Sequence, residues 1–164
     1  MSGIIMYIMG VSGSGKTTIG KMIAEKFNCS FYDGDHFHPV ANVQKMTSGK
    51  PLTDEDRYGW LVNINTFVKK KIERENVVFA CSALKASYRE ILISGIPRDC
   101  FQWVWLKCDY TTIYQRMQSR EHFMPPSLLR SQFDLLEIPE NCWIVDTSES
   151  LGGIKQQLDQ FLLK

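Results

Sequence analysis

The sequence predicts an α/β fold, a parallel sheet flanked by helices, and three observations predict it. Short apolar runs of strand length alternate with segments of helical periodicity along the 164 residues. The first run, Ile4-Ile5-Met6-Tyr7-Ile8-Met9, is unbroken, as a strand buried on both faces requires. A glycine-rich turn then leads directly into a helical pattern carried by Ile19, Met22, Ile23 and Phe27.

That turn is the most informative stretch of the chain. Gly10, Val11, Ser12, Gly13, Ser14, Gly15, Lys16 and Thr17 fit G-x-x-x-x-G-K-[ST] at each fixed position, between a strand and a helix as the motif demands. Glycines let the main chain approach a polyphosphate closely, and its N–H groups and the positive helix end face the anion. Lys16 reaches the β- and γ-phosphates in such a cradle, the Thr17 hydroxyl ligates Mg²⁺, and Thr18 continues the phosphate-facing turn. A nucleoside triphosphate is the expected ligand.

Four more strand-like runs follow: Ser30-Phe31-Tyr32, Val77 to Cys81, Phe101 to Leu106, and Cys142 to Val145. In a parallel sheet, chemistry gathers where strands end. The second run ends in Asp33-Gly34-Asp35. If the chain stays extended there, both carboxylates face the cleft, one supporting Mg²⁺ through water and one taking a proton from a hydroxyl. The competing reading is a solvated D-G turn. His36 and His38 follow, better suited to substrate contact or a surface loop than to a metal, since no third ligand stands at suitable spacing.

The stretch 42–48 reads as a short helix ended by Gly49 and Pro51. Thr53 and Asp56 stand in capping-box positions ahead of a longer helix whose apolar stripe is Leu61, Ile64, Val68 and Ile72. Arg57 lies one turn before Leu61 on that inward side. It suits bidentate pairing with a substrate carboxylate, or an internal ion pair with Asp54 or another acid. After the third strand, Ser82, Lys85 and Arg89 would share one face of a helix beginning at Ser82, as substrate contacts or as a solvated basic face. Cys81 ends an apolar run and is not expected to act as a nucleophile. Arg116 and Arg120 close a helical stretch ahead of Glu121-His122-Phe123-Met124-Pro125-Pro126, and a further helix carries Leu128, Leu129 and Phe133. This reads as a lid over the nucleotide, about 116–136, whose arginines stabilise the transferring phosphoryl group, or as cations placed at a helix C-terminus.

Composition bounds the partners. One domain with one core is expected at this length. A formal net charge of +1 offers no electrostatic track for nucleic acid or an anionic membrane surface. Five cysteines without a C-x-x-C pair fit free thiols in a reducing compartment. The first strand begins at once, leaving no room for a signal peptide, and no apolar run is long enough to span a bilayer. A cytoplasmic location is expected.

Several segments together resemble the gluconokinases, small P-loop sugar-acid kinases related in fold to shikimate kinase. They are GVSGSGKTT, FYDGDHFHP, NVQKMTSGKPLTDEDRYGWL, ACSALKASYRE and HFMPPSLLRSQFDLLE, in the family's order. The resemblance implies a P-loop NTPase kinase fold, with five parallel strands, flanking helices and a lid, and commonly a homodimer. It implies ATP- and Mg²⁺-dependent phosphorylation of D-gluconate at the 6-hydroxyl, giving 6-phosphogluconate for the pentose phosphate pathway. The implied roles are Lys16, Asp35 and Arg120 in catalysis, residues 10–18 and Arg116 on the nucleotide, and Thr17 and Asp33 on Mg²⁺. Asp35, His38, Arg57, Ser82, Lys85, Arg89 and His122 would meet the substrate. The family usually has Gly immediately before H-F-M, whereas Glu121 stands here, which shortens the lid by one residue and removes a hinge position. Competing functions are a kinase of another hydroxy acid, such as a shikimate-like one, and a nucleotide-gated regulatory module that turns ATP over slowly.

Overall fold

A computed structural model describes residues 3–119 and 126–161. Five parallel strands form one sheet in the order β2-β3-β1-β4-β5. They are β1 (Ile5–Met9), β2 (Ser30–Asp33), β3 (Val77–Ala80), β4 (Phe101–Lys107) and β5 (Cys142–Asp146). The apolar first run takes the central place, and every residue of β1 is buried. Each crossover carries helix, namely α1 (Lys16–Phe27), α2 (Val40–Thr47), α3 (Asp54–Lys71), α4 (Ala86–Ile93), α5 (Tyr110–Gln118) and α6 (Leu129–Leu135), and α7 (Leu151–Gln160) follows the last strand.

Two apolar layers sandwich the sheet. One packs Leu61, Ile64, Val68 and Ile72 of the α3 side, all fully buried, against Tyr7, Phe79 and Trp103. The other sets Ile19 and Ile23 of α1 and Leu158 of α7 against Ile8, Val78 and Val104. Gly20 lets α1 lie close on the sheet, for a Cβ there would stand 2.5 Å from the Phe31 ring. A third cluster, Val11, Leu84, Ile113, Met117 and Leu129, ties the glycine-rich turn to α5 and α6. Among the described residues no helix is long and apolar enough to cross a membrane.

The chain leaves β1 toward β2 on one side and later crosses to β4 on the other. Such a switch point, at the carboxyl edge of the strands, is where open α/β sheets hold ligands. Two contacts stitch that edge together: Cys81 N–H donates to Ile8 O at 3.0 Å, and Gly10 N–H to Ser82 O at 3.3 Å.

Two local expectations are corrected. The chain does not stay extended through Asp33-Gly34-Asp35, because Gly34–Phe37 is a 3-10 turn. Asp33 caps it, accepting the Asp35 N–H at 3.0 Å. Nor does a helix begin at Ser82. Ala83 takes a left-handed φ of 45° and α4 starts only at Ala86, so Ser82, Lys85 and Arg89 do not line one helical face.

Candidate active site

The cradle is built from backbone first. Gly13 and Gly15 hold φ angles of 79° and 98°, a region that other residues enter at a cost. A Cβ on Gly10 would meet the Ser14 Oγ at 2.7 Å. The Ser14 side chain is wholly buried, and its Oγ is a hydroxyl without a hydrogen-bond partner among the described residues. Buried polar atoms are rarely left so, and this one lies in a loop shaped for an oxyanion. The N–H groups that open α1, from Lys16 to Thr18, lie in the first turn, where no intrahelical acceptor exists. The residues present therefore fit a polyphosphate.

Lys16 spans the loop from within, donating to Gly10 O at 3.0 Å and Val11 O at 2.9 Å. Burial lowers its pKa, while Asp35 foremost, with Cys81 and Asp33, favours its charged form. Asp35 thus stands within electrostatic reach of the lysine, and it is exposed. Thr17 Oγ1 donates to Asp33 Oδ2 at 2.8 Å, so the hydroxyl and carboxylate expected around Mg²⁺ are already together. Gly34 is obligatory in this turn, since a Cβ would lie 2.7 Å from Ala80 O. Behind it the Trp60 indole donates to Gly34 O at 2.8 Å and fixes the turn against α3. Burial pushes the Cys81 thiol, beneath the site, up to about 12, which keeps it protonated and unfit as a nucleophile.

A second group lines the substrate side. His38 stacks on Trp60, with centroids 3.9 Å apart and an interplanar angle of 18°. Burial first, then the Arg57 charge, push its pKa down to about 4, so the ring is neutral at pH 7. The buried Asn42 amide donates to Asp56 O at 2.9 Å and lies 3.4 Å from His38 Nδ1. Arg57 projects from the first turn of α3, which the reciprocal Thr53–Asp56 capping box fixes. Its guanidinium donates to Leu52 O and, at 3.2 Å, to the Tyr88 hydroxyl.

The alternative ion pair of Arg57 with Asp54 is not formed. Asp54 instead accepts from Tyr88 O–H and from Lys85 Nζ, the latter at 3.1 Å to each oxygen. Arg57, Tyr88, Asp54 and Lys85 thus form one chain of donors and acceptors. These bonds, the Tyr88 one first, hold the Asp54 carboxyl below its ordinary range.

Other expected residues stand apart. Arg89 is buried, and its guanidinium donates to Ala83 O, Leu84 O and Glu137 O, which braces the turn into α4. Arg116 on α5 donates to Thr147 O at 2.6 Å and bridges to the loop after β5. Arg120 and His122 lie outside the described residues. Sequence reasoning missed Trp60, Tyr88, Asn42 and Gln132. The Gln132 Oε1 accepts the Ser12 N–H at 2.6 Å. Only helical spacing could have pointed to two of them: Trp60 is three residues from Arg57, and Gln132 three from Leu129.

The chain is similar to known proteins along most of its length. The family model described as shikimate kinase matches residues 12–137. The thermosensitive gluconokinase of Escherichia coli is 42% identical, over 99% of this chain and 89% of that one. The crystal structure of a sugar kinase from a Janibacter species superposes with a TM-score of 0.88 at 36% identity, covering 98% of this chain and 93% of the other. A gluconokinase from Sinorhizobium meliloti superposes with a TM-score of 0.78 at 38% identity, covering 99% and 97%.

Proposed function

Because this chain belongs to the gluconokinase family, built on the shikimate kinase domain, we propose that it phosphorylates D-gluconate on its 6-hydroxyl with ATP. The single observation that carries this reading is the joining of the phosphate loop and the acidic turn through the Thr17–Asp33 hydrogen bond, with the Asp35 charge acting on Lys16. The Thr17–Asp33 pair suits Mg²⁺ in any P-loop NTPase, whereas a second carboxylate, Asp35, supplies the base that a kinase of alcohols needs.

In this mechanism residues 10–18 hold the triphosphate, and Lys16 carries positive charge to its β- and γ-oxygens. Mg²⁺, when bound, neutralises charge on those oxygens, with Thr17 as ligand and Asp33 holding its water shell. Asp35 orients the C6 hydroxyl and accepts its proton. The O6–Pγ bond forms as the bond from Pγ to the β,γ-bridging oxygen breaks, and ADP leaves with that electron pair. Arg57 pairs with the sugar acid's carboxylate, and the neutral His38 ring and the Lys85 ammonium meet its hydroxyls. Arg116, and Arg120 beyond the described residues, serve the nucleotide side. The product, 6-phosphogluconate, enters the pentose phosphate pathway. A cytoplasmic homodimer is the assembly expected by analogy with the family.

The test is ADP release with D-gluconate beside shikimate, glucose and other aldonates. Turnover with gluconate that disappears in Lys16→Ala supports the reading. Turnover only with another acid keeps the kinase and replaces its substrate. ATP turnover indifferent to any acid favours the regulatory module instead.

A further inference from the structure

Gln132 is a polar side chain in an apolar place. Leu129, one turn earlier on α6, is fully buried against Val11, Leu84, Ile113 and Met117, and Gln132 shares that inward face at 7% exposure. A carboxamide is buried without large cost only when its atoms are paired. Its Oε1 takes the N–H of Ser12 at 2.6 Å, across 120 residues of sequence. Ser12 lies within the phosphate loop, between the two carbonyls that Lys16 grips and the left-handed Gly13.

A loop with glycines at three of six positions loses much conformational entropy on being fixed. A phosphate cradle works only if its donors already point the right way before the anion arrives. Within the loop, Lys16 holds Gly10 and Val11, and Ser14 N–H closes a turn onto Val11 O at 3.2 Å. The Ser12 peptide is gripped from outside, by α6. Gln132 also lines a narrow cavity with Arg57, Leu52, Met46 and Ser131, so the residue that holds the loop borders the side of the cleft that carries Arg57.

We infer that Gln132 is a positioning residue that clamps the phosphate loop to α6, holding the triphosphate cradle in register with the Arg57 side of the cleft. It touches neither reactant and acts through the Ser12 peptide. The inference rests on the nucleotide part of the kinase reading and not on gluconate as the substrate.

The test is calorimetric binding of AMPPNP with Mg²⁺, without sugar acid, together with amide hydrogen exchange at Ser12. Gln132→Met keeps the length and removes the acceptor. It should bind AMPPNP about tenfold more weakly, the effect of one lost hydrogen bond, and expose the Ser12 amide to fast exchange. Gln132→Glu keeps an acceptor oxygen and should restore slow exchange at Ser12. A residue that merely fills space would lower the melting temperature of Gln132→Met and leave AMPPNP affinity unchanged, which overturns the inference. Should Gln132→Met fail to fold, the wild-type protein decides: slow Ser12 exchange without nucleotide is required, and exchange at the rate of an unstructured peptide overturns the clamp. Failure of the wild type to bind AMPPNP would contradict the nucleotide reading itself, a result distinct from both.

Discussion

Asp35 follows a bend that the strand cannot continue through, one residue past the glycine that lets the chain slip under Ala80 O. If it is the base, Asp35→Asn lowers kcat by roughly 10²–10⁴-fold with little change in KM, measured by steady-state kinetics. A loss of two- or three-fold would reduce it to a positioning role. Arg57→Lys removes the planar fork, worth about 1.5–3 kcal/mol on a charged partner, so KM for gluconate rises by about 10- to 100-fold while KM for ATP stays nearly constant. An unchanged KM for gluconate would remove Arg57 from the site. His38 has a pH signature. Its folded value, about 4, lies below its ordinary value of 6.5. Between the two the unfolded chain binds the extra proton, so the contribution is complete above about pH 6.5 and is lost as pH falls through about 4. Melting temperatures across that window should fall more steeply for the wild type than for His38→Gln. At this scale the sequence was legible where a motif fixes a residue's place, as for Lys16 and Thr17 at the opening of α1. It was read poorly where a residue's task depends on distant neighbours. Nothing in the pattern around Arg89 announces that Glu137 O will take its guanidinium, or that Lys85 will turn to Asp54.

At the scale of elements, α3 organises the substrate side. Its capping box fixes the turn that carries Arg57, its Trp60 supports the acidic turn, and its apolar stripe anchors both to the sheet. Thr53→Ala should destabilise the protein by about 1 kcal/mol in denaturant unfolding, since one reciprocal bond of the cap is lost. A value indistinguishable from zero would mean that Asp56, also held by Lys45, carries the cap alone. The box and the stripe were legible because periodicity and capping are local. The five strands were legible for the same reason. The segment after β3 was misread because a left-handed Ala83 delays the helix, and no local rule favours that conformation in alanine. The bend at Asp35 was misread because Asp33 caps its own neighbour, a choice that two acids and a glycine leave open.

For the whole molecule, a parallel sheet with β1 at its centre brings to one edge residues that are far apart in sequence. Thr17 meets Asp33, Gly10 meets Ser82, and Ser12 meets Gln132 only because β3 and β4 flank the first strand. The fold class followed from alternating elements and one turn motif, whereas these meetings follow from strand order, which no short motif encodes. The central claim is transfer of one phosphoryl group from ATP to the terminal hydroxyl of a sugar acid across that edge. The most direct measurement is ³¹P and ¹³C NMR of a reaction holding the protein, ATP, Mg²⁺ and D-gluconate. The expected result is one new phosphate monoester coupled to C6, formed in step with ADP. ADP accompanied only by inorganic phosphate, or a monoester on another carbon, would contradict it.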